Sequence, residues 1–128
     1  MVLGHEEETY ELTPEEFNLA KTLIKHFKGR KKDNPVKANE IVDGVNRVYK
    51  LEKKFTDVRL RKIVNFYRCN QVLPIISSSK GYYVTDDHDE IKNMVKSLNN
   101  RANSILKSAK GLEVFLNLKV VNNRIIKD

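Results

Sequence analysis

The sequence predicts an α+β fold that is mainly helical and includes one long C-terminal helix. Three segments between residues 13 and 68 carry apolar residues at helical spacing. Two short segments rich in β-branched and aromatic residues follow at 74–77 and 81–85. A further run, from residue 86 to about residue 118, repeats apolar residues every seven positions. A chain of 128 residues is long enough for one compact domain and an appended helix.

The first predicted helix begins with a capping box. Thr13 can accept a hydrogen bond from the backbone N–H of Glu16, whose side chain can reach back, and Pro14 occupies the first helical position. The apolar positions that follow at helical spacing are Phe17, Ala20, Leu23, Ile24 and Phe27. We expect Gly29 to end the helix in a left-handed conformation. A basic loop comes next and contains Arg30, Lys31 and Lys32.

The second helix is predicted from Ala38 to about Lys50. Its buried stripe would hold Ile41, Val42, Val45, Val48 and Tyr49. Gly44 lies inside this helix at a cost of about 1 kcal/mol relative to alanine, so we expect it to allow close packing or to mark a break. The preceding residues, 34–37, are predicted to form either a short edge strand or a loop.

The third helix combines an apolar face with a basic face. Thr56 can cap it, and Asp57 suits the positive end of the helix dipole. The apolar face holds Leu60, Ile63, Val64 and Tyr67, and the opposite face holds Arg59, Arg61, Lys62, Asn65 and Arg68. Arginine and asparagine have the bidentate geometry that reads guanine and adenine in the major groove. The basic face therefore predicts DNA contact; the alternatives are a solvated exterior, or pairing of Arg61 and Arg68 with carboxylates.

The two short segments enclose a polar turn. The connecting residues are Ser78, Ser79, Lys80 and Gly81, and the glycine can supply a positive φ. Three helices followed by a hairpin is the order of a winged helix-turn-helix, in which the hairpin is the wing. Its tip would offer serine hydroxyls, backbone N–H groups and Lys80 to phosphate oxygens. When the hairpin is considered alone, an ordinary β-turn with a polar apex is the better interpretation.

The last predicted helix begins in an acidic turn at residues 86–90. Acids at this end favour the helix dipole, and capping explains the cluster better than a metal site that includes His88. Ile91, Leu98, Ile105 and Leu112 then recur every seven residues, with Met94, Ala102, Ala109 and Phe115 or Leu116 between them. Either this seam closes the domain's own core, or its distal half pairs with a second copy. The tail, 119–128, is predicted to be a strand, a helix extension or a frayed end.

The distribution of charge indicates a polyanionic partner. The formal net charge is +7, yet residues 1–16 contain six acids and no Lys or Arg. Residues 17–68 carry fifteen Lys and Arg against five Asp and Glu, a net of +10. Such a field attracts nucleic acid because phosphate contacts release condensed counterions. We predict an acidic, flexible arm at 1–12, a winged-helix domain at 13–85 and a long helix at 86–118.

The motifs of common enzymes and metal sites are missing from the sequence. It contains no glycine-rich phosphate loop and no HExxH, and Cys69 is its only cysteine. The sequence therefore predicts a protein that is not an enzyme and needs no cofactor or metal. No apolar run reaches the roughly 18 residues of a membrane span, and the start does not resemble a signal peptide, so we expect a cytoplasmic protein.

Part of the sequence resembles small winged-helix proteins encoded by phages and prophages. The resemblance covers roughly residues 56–110. Its motifs are LRKIVNFYR at 60–68, LPIISSSKGYYV at 73–84, DDHDEI at 86–91 and RANSIL at 101–106. It implies DNA binding in phage transcription regulation or replication, in the cytoplasm of the host cell. One departure is a link between the second and third helices that is longer by about eight residues, within 46–55. This departure bears on base reading more than on backbone binding.

Two other function classes stay open. Winged helices also serve as protein–protein adaptors, here in a replication or packaging assembly, with the wing or the last helix docking the partner. RNA binding is a weaker option because few aromatic residues lie beside the basic face for base stacking. A homodimer formed through the C-terminal helix is compatible with DNA binding, since a two-fold protein matches a palindromic site.

Overall fold

The structure, a computed structural model, describes residues 11–121 and 124–127, with side chains described up to residue 118. The chain divides into two compact units, Met1–Ile91 and Lys92–Asp128. The elements are α1 (Pro14–Lys28), α2 (Ala38–Val48), α3 (Asp57–Cys69), β1 (Ile75–Ser78), β2 (Gly81–Val84), α4 (His88–Val114), β3 (Leu118–Val121) and β4 (Arg124–Lys127). The prediction of an α+β fold that is mainly helical is confirmed. Most of the predicted acidic arm lies outside the described residues.

Helix α1 begins as predicted and ends differently. The Oγ1 of Thr13 accepts a hydrogen bond from the N–H of Glu16 at 3.1 Å, and the Glu16 carboxylate accepts from the N–H of Thr13 at 3.0 Å. Gly29 at the C-terminus has φ −79° and ψ −7°, which is right-handed, so the prediction of a left-handed stop was wrong. Phe17, one of the apolar residues at helical spacing, is 40% exposed. Among the described residues, the non-glycine residue with a positive φ is Gln71, which follows α3 and has φ 54°.

Helix α2 is confirmed, and a pinned loop follows it. The helix ends at Val48, which is 67% exposed and not part of the buried stripe. The side-chain amide of Asn46 both accepts a hydrogen bond from the backbone of Phe55 and donates one to it. Its Oδ1 accepts from the Phe55 N–H at 2.9 Å, and its Nδ2 donates to the Phe55 carbonyl at 3.0 Å. Because the Phe55 ring is fully buried, this loop delivers the chain to the start of α3 at a fixed position.

Strands β1 and β2 form the predicted hairpin, with Ile75 opposite Val84 and Ser78 opposite Gly81. A third piece of chain joins them. Val36 and Tyr82 exchange two backbone hydrogen bonds of 2.9 and 2.7 Å, so residues 34–37 form a loop with one isolated bridge to the hairpin and not the alternative edge strand. Gly81 has φ +132°, and a Cβ placed there would lie 2.5 Å from the carbonyl oxygen of Val36. Only glycine fits this approach.

The core of the first unit lies between α1, α3 and the hairpin. Its fully buried large side chains include Phe27, Leu60, Ile63 and Tyr67. The rings of Phe27 and Tyr67 meet edge to face, with centroids 5.7 Å apart. The Tyr67 hydroxyl donates to the carbonyl of Ala20 at 2.5 Å, which satisfies a polar group that burial would otherwise penalise. Burial raises the pKa of Tyr67.

Helix α4 begins with the predicted acidic cap. The Oδ1 of Asp87 accepts hydrogen bonds from the N–H groups of Asp89 at 2.8 Å and Glu90 at 3.1 Å, so capping explains this cluster. No residue of α4 is buried. The apolar residues of its distal half and of the turn after it are exposed: Ile105, Leu106, Leu112, Val114, Phe115 and Leu116. The tail forms an antiparallel hairpin of β3 and β4, so the strand interpretation is confirmed.

Among the described residues, no helix combines the length and the apolar character needed to cross a membrane.

Candidate nucleic-acid interface

Glu16 is a buried carboxylate that faces two cations of α3. Its side chain is 2% exposed. One oxygen lies 2.8 Å from the Nε of Arg59, and the other lies 2.7 Å from the Nζ of Lys62. Both carboxylate oxygens are therefore paired, so the charge of Glu16 is compensated inside the protein.

The guanidinium of Arg59 is held on all of its nitrogens. Its Nη2 lies 2.8 Å from the carboxylate of Glu15, and its Nη1 donates to the carbonyl of Lys53 at 2.7 Å. The same Nη1 reaches the carbonyl of Lys54 at 3.3 Å. Together with the bond to Glu16, these contacts fix the loop before α3 against the first turn of α1.

The pKa of Glu16 reflects this arrangement. Burial by itself would raise the pKa, but hydrogen bonds from Lys62, Arg59 and the Thr13 backbone outweigh it and lower the pKa from 4.5 to about 2. Glu16 is therefore ionised throughout the physiological range of pH. The pKa of Glu15 is also lowered, first by its hydrogen bond from Arg59.

The position of these two cations corrects the expected DNA-contact face. Arg59 and Lys62 were predicted to lie on an exposed basic face, but their side chains are only 13% and 17% exposed and turn toward α1. Helix α3 itself contains one acid, Asp57, which could not neutralise this face. The neutralising acids come from the capping turn of α1, more than forty residues earlier, so helical spacing within α3 could not reveal them.

Arg61 and Asn65 lie farther out on α3. Arg61 is 45% exposed and pairs with Asp57, one turn earlier, at 3.2 Å. An exposed pair of this kind contributes at most about 1 kcal/mol, so Arg61 can exchange it for a phosphate. Asn65 is half-buried and its Oδ1 lies 3.7 Å from the Sγ of the exposed Cys69. The predicted carboxylate pairing of Arg61 is confirmed as a surface contact.

Arg68 joins α3 to the hairpin. Its Nε donates to the carbonyl of Ile75 at 3.0 Å, and its Nη2 lies 3.3 Å from the hydroxyl of Ser77. The predicted bracing role of Arg68 is therefore found, although these partners are a carbonyl and a hydroxyl and not a carboxylate. As a result, the C-terminal half of α3 and β1 are fixed side by side.

The hairpin tip presents two of the three predicted residues. The hydroxyl of Ser78 donates to the carbonyl of Gly81 at 2.9 Å and accepts from the N–H of Lys80 at 3.3 Å. Ser78 therefore serves the turn itself. Ser79 and the side chain of Lys80 are exposed at the apex.

The basic loop after α1 is divided in its roles. Arg30 is half-buried and its Nη1 donates to the side chain of Asn34 at 3.1 Å. Lys31 is exposed. Lys32 is 73% exposed and lies 3.6 Å from the carboxylate of Glu90. These three residues were predicted to contact the DNA backbone. Lys31 and Lys32 are exposed, whereas Arg30 hydrogen-bonds within its own loop.

Helix α1 carries a second basic stripe, which was not among the predicted contact residues. Lys21, Lys25 and Lys28 are all exposed on α1, at spacings of four and three residues that place them on one face. The Nζ of Lys21 lies 4.7 Å from the centre of the Phe17 ring. The signal was available, because residues 17–32 contain no Asp or Glu. This absence of acids predicts a basic face on α1 in addition to the one on α3.

None of the family models, curated proteins or solved structures compared with this chain matches it. The resemblance to phage and prophage winged-helix proteins therefore stays a prediction. Within the part of the chain that the structure describes, no three His, Cys, Asp or Glu side chains are grouped as a metal site.

Proposed function

We propose that this chain is a winged-helix protein that binds double-stranded DNA through the outer part of α3 and the β1–β2 hairpin. The observation that carries this proposal is the pair of hydrogen bonds from Arg68 to Ile75 and Ser77. They fix the C-terminal half of α3 beside β1, which supports one binding surface formed by both elements. A duplex needs such a broad surface because it presents its phosphates on two strands.

The order of elements supports the winged-helix interpretation. Three helices are followed by a two-stranded hairpin, and Val36, between α1 and α2, bridges to Tyr82 of that hairpin. The bridge secures the hairpin to the segment between α1 and α2.

The exposed charge on this surface comes from Arg61 and Lys80. Arg61 is 45% exposed, and Lys80 occupies the apex of the turn beside Ser79. Arg59 and Lys62 are committed to Glu16, so direct base reading by the predicted residues of α3 would depend mainly on Arg61. This favours backbone-directed binding over strict sequence specificity.

Duplex binding by charge-reversed variants tests the proposal. Affinity for a mixed-sequence DNA duplex is measured by fluorescence anisotropy over a range of salt concentrations. We expect the double variant Arg61→Glu, Lys80→Glu to bind at least tenfold more weakly and to lose about two units of slope in log K against log salt. The matched control is Lys107→Glu, Lys110→Glu on α4, which changes the net charge equally at exposed positions.

Two results would count against the proposal. If the wild-type chain does not bind a duplex at low salt, the DNA-binding function is wrong. If the α3–hairpin variant and the α4 control weaken binding equally, the effect is one of net charge and the surface is assigned wrongly. A selection from random duplexes distinguishes operator recognition from backbone binding, and the resemblance to phage proteins favours a role in transcription regulation or replication.

We further propose that the distal half of α4 forms a homodimer. Ile105 and Leu112 are separated by seven residues and are 47% and 69% exposed. A heptad seam of exposed aliphatic residues is what a coiled-coil partner buries. The competing candidate is a protein–protein adaptor that uses the same seam for a different protein, and a chain that stays monomeric and binds no duplex would favour it.

A further inference from the structure

An apolar groove lies between α1 and α2 in the first unit. Its volume is about 410 Å³. Leu23 and Phe27 of α1 and Ile41 and Val45 of α2 line it. Leu23, Phe27 and Val45 are already buried at its base, so the accessible apolar lining comes from half-buried Ile41 and Tyr49 and from exposed Val48. A volume of this size lies within the usual range of small-molecule sites, roughly 300–1,000 Å³.

Gly44 lines the same groove, and no local requirement of the fold accounts for it. Helix α2 runs without a break from Ala38 to Val48, and the described glycine with a positive φ is Gly81. A Cβ placed on Gly44 would meet only the Nη2 of Arg47, at an ordinary 3.9 Å. Neither of the expected reasons, close packing or a helix break, applies. The glycine costs about 1 kcal/mol of helix stability, and its effect is to leave the groove open.

The edge of the groove is predominantly cationic. His26, Arg30 and Arg47 line it together with one acid, Glu40. The carboxylate of Glu40 accepts a hydrogen bond from the N–H of Lys37, and Arg30 donates to the neutral side chain of Asn34. Within the described residues, no carboxylate lies at ion-pair distance from Arg47. Two arginines that have no carboxylate partner among the described residues, beside an apolar lining, suit a ligand with an anionic head and an apolar body.

We propose that this groove binds a small amphipathic carboxylate. Its alkyl chain would lie against Ile41, Val48 and Tyr49, and its carboxylate would meet the guanidinium groups of Arg30 and Arg47. Arginine pairs with carboxylate through two parallel hydrogen bonds, which fixes the head while the tail is buried. The inference does not depend on DNA binding, because the groove residues are separate from Arg61, Arg68 and Lys80.

The test uses decanoate, below its micellar concentration, as the probe. Amide resonances of the full-length ¹⁵N-labelled chain are followed during titration, and the dissociation constant is measured by calorimetry. We expect shifts centred on Leu23, Ile41 and Val45. Gly44→Leu, which fills the groove, should weaken binding at least tenfold, and Gly111→Leu is its matched control because no atom lies within 4 Å of the added Cβ. Arg47→Gln should also weaken binding about tenfold.

Several outcomes would overturn the proposal. One is an absence of decanoate binding, and another is equal binding of decanol, which would remove the role of the arginines. A third is a set of shifts confined to the exposed apolar residues of α4. Undiminished binding by Gly44→Leu, in a variant whose spectrum shows a folded chain, would also overturn it. If Gly44→Leu does not fold, Arg47→Gln at an exposed position decides the question instead.

Discussion

The carboxylate of Glu16 and the guanidinium of Arg59 lie 2.8 Å apart across the interface of α1 and α3, and the carboxylate is 2% exposed. The same carboxylate closes the capping box at Thr13. One side chain therefore accepts from the N-cap N–H of α1 and fixes α3 to that helix. This double duty explains why charged residues occur at a buried interface, where an isolated ion would be strongly unfavourable.

Glu16→Ala should destabilise the protein by about 3 kcal/mol, because it leaves Arg59 and Lys62 buried without their shared carboxylate. Equilibrium unfolding in urea measures the change. Glu11→Ala, at an exposed position just before α1, is the control and should change the free energy of unfolding by less than about 0.5 kcal/mol. Equal losses in the two variants would contradict the structural role of Glu16.

The stability of the protein should fall in acid through Glu16. Its pKa is lowered in the folded state from 4.5 to about 2, so its contribution is fully present above pH 4.5 and is lost as the pH falls toward 2. The difference corresponds to about 3 kcal/mol in total, of which about 2 kcal/mol is lost by pH 3. Unfolding of the wild type and of Glu16→Gln at pH 7 and pH 3 measures it. A gap between the two that does not narrow in acid would refute the assignment.

Lys62→Met should affect stability and not duplex binding. The substitution removes a charged hydrogen bond of 2.7 Å to Glu16, at a cost of about 1–2 kcal/mol, while Arg59 still holds the carboxylate. Since Lys62 is only 17% exposed, the slope of log K against log salt for DNA should stay the same. Urea unfolding and anisotropy on one preparation measure both quantities. If the slope of log K against log salt falls by about one, Lys62 contacts a phosphate and belongs to the DNA interface.

Gly81→Ala should destabilise the hairpin by at least about 2 kcal/mol. The residue has φ +132°, and the added Cβ would meet the Val36 carbonyl oxygen at 2.5 Å. Thermal unfolding with near-ultraviolet circular dichroism reports the loss. Gly111→Ala is the control, because its Cβ enters open space in a helix and should be neutral or stabilising. A neutral Gly81→Ala would show that the Val36 bridge is not required.

The seam on α4 predicts a dimer that a single charge weakens. Light scattering after size exclusion should give the mass of two chains for the wild type at high micromolar concentration, and a lower mass for Leu112→Lys. Asn103→Lys adds the same charge at an exposed position off the seam and should stay dimeric. A wild-type chain that is monomeric at this concentration would exclude the dimer.

Local signals predicted the elements well. The capping box at Thr13, the helical spacing of apolar residues and the turn with Gly81 located α1, α2, α3 and the hairpin, each within about two residues. Each of these signals depends on residues that are close in sequence, so it can be recognised without knowledge of the tertiary structure. One backbone prediction was wrong, the left-handed stop at Gly29. The environment of Val48 was also predicted wrongly, because this residue was expected in the buried stripe and is exposed.

The sequence by itself determined where this chain is helical and where it turns, because backbone geometry and capping depend on neighbouring residues. Only the tertiary structure decided which cations face solvent. Glu16 meets Arg59 and Lys62 across a separation of more than forty residues, and Arg68 turns to the hairpin instead of outward. Charge pairing between distant elements follows from packing, and helical periodicity contains no information about the side chains that packing brings opposite.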